Sequence, residues 1–195
     1  MKKKSLLDAL SIFTLIVSMT ACGHKQDSLK DPASVEVAKD ANDSTFTDKK
    51  EEKDADFIVN EVASNYAEIK IAQLANNKSV NKKVKDMAAQ LEKNHTDILK
   101  GLKAYADKRG VAVPLEEGPS DAKEMKNLEE KSVDKFDMAW TDAMKDRHEK
   151  SINNFETRRD RTEDPELKEW ITATLPGLKE HLAMLKTHEQ GEASK

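Results

Sequence analysis

Three histidines stand where leucines are expected. His95, His148 and His181 each fall on the apolar stripe of a segment with helical period. At 100° per residue His95 lies within about 40° of Val84, Ala88, Leu91, Leu99 and Leu102. His148 falls among Met144, Ile152 and Phe155, and His181 among Trp170, Leu178 and Leu185. An unpaired polar group in a small core costs about 1–3 kcal/mol, and one shared ion would satisfy all three rings. Glu61 and Glu68, one heptad apart at the rim of another apolar face, offer a carboxylate. Imidazole with carboxylate suits zinc, copper or iron. The expected site is therefore a single transition metal held by His95, His148, His181 and Glu68 or Glu61. The rival is a non-enzymatic structural or interaction module, whose buried His–Glu network only fixes the packing. Nothing in the inventory demands catalysis. Met144 and Met184, each one turn from a histidine, would be soft ligands, although ordinary core methionine is the commoner role. His24 and His188 are assigned nothing.

Four amphipathic helices must position these side chains. The first runs over about 53–77, with Phe57, Ile58, Val62, Tyr66, Ile69, Ala72 and Ala75 on its apolar face. Ser79 reads as the cap of a second helix that ends at Lys108-Arg109-Gly110. A loop with Pro114, Gly118 and Pro119 follows, and Asp121 with Glu124 reads as a capping pair opening a short helix. The third long helix covers about 132–161. Asp164-Pro165-Glu166 starts the fourth, in which Pro176 predicts a kink. The fold class is all-α, an antiparallel four-helix bundle. The connection between the second and third long helices is long enough to cross the bundle, as in ferritin-like folds. Counted at 1.5 Å per residue, the three histidines fall within one or two turns of mid-bundle.

Composition narrows the function classes. Of 195 residues 37% are hydrophobic and 36% charged, and only 6 Gly and 5 Pro mark turns, which argues against many short strands. Lys and Arg number 33 against 37 Asp and Glu, a formal charge of −4, so no basic face for nucleic acid is expected. A single cysteine excludes an internal disulfide and a thiolate zinc cluster. Lys2, Lys3 and Lys4 precede an apolar run over about 9–19, too short to span a bilayer but suited to a secretory signal. The run closes on Met19-Thr20-Ala21-Cys22, which resembles the lipobox of bacterial lipoproteins, with Met19 where Leu is usual. Residues 1–21 are thus expected to be a lipoprotein signal peptide and Cys22 the lipidated residue. The expected location is the bacterial envelope, anchored to the membrane by lipid. By analogy Gly23 favours the outer membrane, facing the periplasm. Removing residues 1–21 takes away three Lys and one Asp, moving the formal charge from −4 to −6. Residues 22–52 read as a disordered tether, 53–188 as the bundle and 189–195 as a disordered tail.

Several of these residues resemble a bacterial family of predicted outer-membrane proteins, domain-of-unknown-function family 4142, which is ferritin-like. The matches are Asp54-Ala-Asp-Phe57, Ala67-Glu68, Met87 through His95-Thr96, Phe136-Asp137, His148-Glu149 and Leu175-Pro176-Gly177-Leu178-Lys179-Glu180-His181, covering about residues 54–188. The resemblance implies a ferritin-like bundle in an exported protein and no established activity. The family commonly has Asp just before the histidines of the second and third helices, where this chain has Asn94 and Arg147. The ferritin-like resemblance also invites a di-iron reading, for which Glu92 to His95 supplies one Glu-x-x-His motif. Leu178 stands three residues before His181, so the second motif is absent and a single-metal site fits better.

Overall fold

The computed structural model describes residues 34–193, so the expected signal peptide, Cys22 and His24 lie outside the described residues. Its elements are α1 (Val35–Thr45), α2 (Lys49–Lys78), α3 (Lys82–Arg109), α4 (Pro119–Glu129), α5 (Val133–Arg161) and α6 (Pro165–Ala193), with no strand among the described residues. The all-α expectation holds. The four long helices begin and end close to where the apolar periodicity starts and stops. Gly110 closes α3 in the left-handed region at φ 67°, and the Asp164 carboxylate accepts from the Glu166 and Leu167 amides to open α6. α6 runs through Pro176 as one helix. None of the helices in the described residues is long and apolar enough to cross a membrane.

Two boundaries change. Within residues 22–52, expected to be a tether, Ser34 caps α1, and Asp48 caps α2 by accepting from the Lys50 and Glu51 amides. α1 is docked through small and polar residues: Ala38 and Asn42 are buried, and the Asn42 amide both donates to and accepts from the Ala112 backbone. A face built on Ala and Asn leaves no bulky apolar period to read. At the other end, α6 continues to Ala193 through most of the expected tail, and its Glu189 pairs with Lys145 at 2.7 Å. Two caps also differ. Asn81 caps α3 while Ser79 closes α2, and α4 opens at Pro119 after Gly118 with no side-chain cap.

The chain connects the bundle by one long crossover. α2 and α5 run antiparallel, since Asp54 meets Arg158, Glu61 meets Asn154 and Ile71 accepts from the Trp140 indole. α3 and α6 are likewise antiparallel, with Tyr105 bonded to Asp164 and Asn94 to His181. α2–α3 and α5–α6 are joined by tight turns, so the 110–132 connection travels the length of the bundle, carrying α4 against α2 and α5. One close approach depends on glycine: a Cβ on Gly101 would stand 2.8 Å from Trp170 Nε1.

The apolar core divides in two. One cluster gathers Phe57, Ile58, Val62, Leu102, Phe155 and Ile171, the other Ile71, Leu91, Phe136, Trp140, Met144 and Leu185. On each long helix the break between the clusters falls at a polar residue: Asn65 and Glu68 on α2, His95 on α3, His148 on α5 and His181 on α6.

Candidate metal centre

His95, His148 and His181 converge in this polar layer, at most 2% exposed, with ring centroids 5.1–5.3 Å apart. His95 Nε2 lies 3.2 Å from His148 Nε2, which lies 3.2 Å from His181 Nδ1. From α2, Glu68 brings Oε2 to 3.1 Å from His95 Nε2 and 3.7 Å from His148 Nδ1. Two ligands 2.0–2.1 Å from a tetrahedral ion are themselves about 3.3 Å apart, so the shorter separations match the edges of such a site. One nitrogen from each of the three histidines lies within 4.8 Å of the other two, close enough for the group to share one metal ion.

Hydrogen bonds behind the rings decide which nitrogens face inward. Asn65 donates through Nδ2 to the Glu61 carbonyl, which turns its Oδ1 to His95 Nδ1 at 2.9 Å. His95 therefore carries its proton on Nδ1 and presents a bare Nε2. The Met144 carbonyl, 2.7 Å from His148 Nδ1, fixes the same tautomer there. The bare His95 Nε2 thus faces both the bare His148 Nε2 at 3.2 Å and the Glu68 carboxylate oxygen at 3.1 Å, contacts that repel unless a cation or proton lies between. Glu68 Oε2 is buried and accepts no hydrogen bond. His181 Nε2 is 2.8 Å from the Asn94 amide. With the amide nitrogen toward the ring, His181 donates from Nδ1 to His148. With the amide turned over, the ring proton moves to Nε2 and Nδ1 becomes a third bare nitrogen.

Electrostatics agree with neutral His95 and His181 rings and one charged carboxylate. Burial pushes His95 down to about 4 against the pull of Glu68, and burial with the two neighbouring rings pushes His181 down to about 3. Burial works against ionised Glu68, but the charges that His95 and His148 place beside it when protonated, with that of the Arg147 guanidinium, outweigh burial and hold its pKa below the ordinary value. With the rings neutral, Arg147 is the charge that remains. Arg147 Nε lies 3.9 Å from Glu68 Oε1, and its Nη1 binds Asp121 and Glu124, each at 2.7 Å. The expected capping pair of α4 is thus spent on this guanidinium, because α5 brings a buried charge against it.

The other expected ligands lie elsewhere. Glu61 is buried two turns away, roughly 10 Å along α2. Its Oε1 accepts from Asn154 at 3.3 Å, and burial pushes its pKa to about 8, so it holds its proton at neutral pH. Met144 is fully buried in the apolar cluster and supports His148 through its carbonyl, and Met184 packs at that cluster's edge. Glu92 spends its carboxylate on Gln73 and Asn76, so the Glu92 to His95 motif does not assemble as a ligand pair. Asn65 is the supporting residue the sequence reading missed. Its signal was its place between Glu61 and Glu68 on one face, where a polar residue is costly unless it serves another.

An all-helical bundle with a buried histidine cluster across its middle is the class these observations define. The chain belongs to the family described as "Domain of unknown function (DUF4142)", whose model matches residues 38–187, from within α1 almost to the end of α6. Neither a curated protein nor a solved structure gives a significant match.

Proposed function

We propose that this protein binds one divalent transition metal, Zn, Cu or Fe, at His95, His148, His181 and Glu68, for sequestration or protection against metal stress. The carrying observation is the convergence of three buried imidazoles, two of them tautomer-fixed with bare Nε2 atoms 3.2 Å apart, beside a Glu68 Oε2 that lies 3.1 Å from His95 Nε2 and accepts no hydrogen bond. Three imidazoles and one carboxylate make four ligands, which suit a borderline divalent ion and leave room for a fifth. The single end-to-end crossover supports a ferritin-like bundle, in which such centres are built from facing helices. The lipobox-like Met19 to Cys22 supports a lipid anchor at Cys22 that holds the bundle at the bacterial envelope, on the outer membrane facing the periplasm. One observation favours the rival packing role: Arg147 already supplies a positive charge beside Glu68.

Elemental analysis of the untagged protein, beside His95→Ala, His148→Ala and His181→Ala, separates the two. About one zinc, copper or iron per chain, lost in each variant, is the expected result. No metal after reconstitution, with only a stability loss in the variants, would leave the packing role.

A further inference from the structure

A buried site needs a way in. Between α2, α4 and α5 lies a cleft of about 660 Å³ whose lining includes Glu61, Ser64, Asp121, Glu124, Asp146 and Arg147. Its inner wall is one hydrogen bond from the metal centre, because Ser64 Oγ donates to Glu68 Oε1 at 3.3 Å. Arg147 stands across that wall. Its Nη1 is held by Asp121 and Glu124 of the crossover helix, its Nη2 lies 3.3 Å from the Ser64 carbonyl and hydroxyl, and its Nε faces Glu68 without a hydrogen bond. The side chain is 11% exposed, so it both closes the cleft floor and belongs to the buried layer behind it.

We propose that the metal ion enters through this cleft and that Arg147 is its gate. This rests on the metal-binding reading above. While the centre is empty, the guanidinium is the countercharge that makes a buried Glu68 tolerable. An incoming divalent ion supplies that charge itself, so Arg147 is released toward Asp121 and Glu124 at the cleft mouth, where two carboxylates already hold it. The lining carboxylates of Glu36, Asp121, Glu124 and Asp146, set against Lys150 and Arg147, draw cations into the cleft, and the guanidinium opposes their last step. Arg147 is thus a positioning residue, not a ligand. α4, which has no side-chain cap of its own, is the element whose acids set how far the gate can move.

The test is the rate at which the full-length protein, stripped of metal, takes up Zn(II), followed with a chromogenic indicator in stopped flow. Arg147→Gln removes the opposing charge, and Arg147→Lys keeps a charge but cannot span Asp121, Glu124 and Glu68 together. Both variants should fill to the wild-type stoichiometry, Arg147→Gln on the order of tenfold faster or more and Arg147→Lys in between. Equal rates at full stoichiometry would overturn the gate while leaving the metal site standing. Loss of binding in a folded Arg147→Lys protein would also overturn it, by making Arg147 a support of Glu68 alone. Absence of Zn(II) uptake by the wild type would remove the metal-binding reading and the gate together.

Discussion

Glu61→Gln should stabilise this protein at neutral pH and leave it nearly unchanged in mild acid. Glu61 is 2% exposed, and its Oε1 accepts a hydrogen bond from Asn154 that glutamine can keep. Burial is the chief cause that raises its pKa from 4.5 to about 8. Between those values the native state binds a proton that the unfolded state has released, so stability falls as pH rises through that window. Carrying the proton from 4.5 to pH 7 costs about 3 kcal/mol, at 1.36 kcal/mol per pH unit. The neutral amide bears no such cost. Urea unfolding followed by helical circular dichroism, with chelator present, should show the variant and wild type close together at pH 4.5. At pH 7 the variant should be more stable by about 3 kcal/mol, or roughly 6–12 °C in Tm for a chain of this size. A difference that is the same at both pH values, or a variant less stable at pH 7, would refute the reasoning. It would mean that Glu61 is ionised in the fold and paired.

The histidines predict the opposite slope. His95 and His181, held near 4 and 3 against an ordinary 6.5, stay neutral in the fold while the unfolded chain protonates. Metal-free stability should therefore fall as pH drops from about 6.5 toward 4, with His95 alone contributing about 3 kcal/mol by pH 4. Measured in a Glu61→Gln background, this loss should flatten in the His95→Gln, His181→Gln double variant, and an unchanged slope would refute it. Gly101→Ala places a Cβ 2.8 Å from Trp170 Nε1, so it should cost about 1–3 kcal/mol and shift tryptophan fluorescence, as overpacking does. A silent substitution would mean that the seam between α3 and α6 opens freely.

The four long helices were legible because each carries its own evidence: an apolar period of 3.6, Gly110 after a basic turn, Asp164-Pro165 at a start. The three histidines were legible for the same reason, since a polar residue on an apolar stripe stands out, and its count along the helix fixes its level. α1 was hidden because it docks through Ala38 and Asn42, and Asn42 is held by the Ala112 backbone seventy residues away.

What the sequence determined by itself was therefore local: where helices start and stop, which face is apolar, and that three helices interrupt that face at one height. What only the tertiary structure decided was which carboxylate joins them. Glu61 and Glu68 sit one heptad apart on the same face and look alike along the chain. α5 brings Asn154 to the first and His148 with Arg147 to the second, leaving Glu61 a neutral acid and Glu68 an anion. The charge state of a buried carboxyl depends on what faces it across the bundle, and the spacing along one helix does not record that.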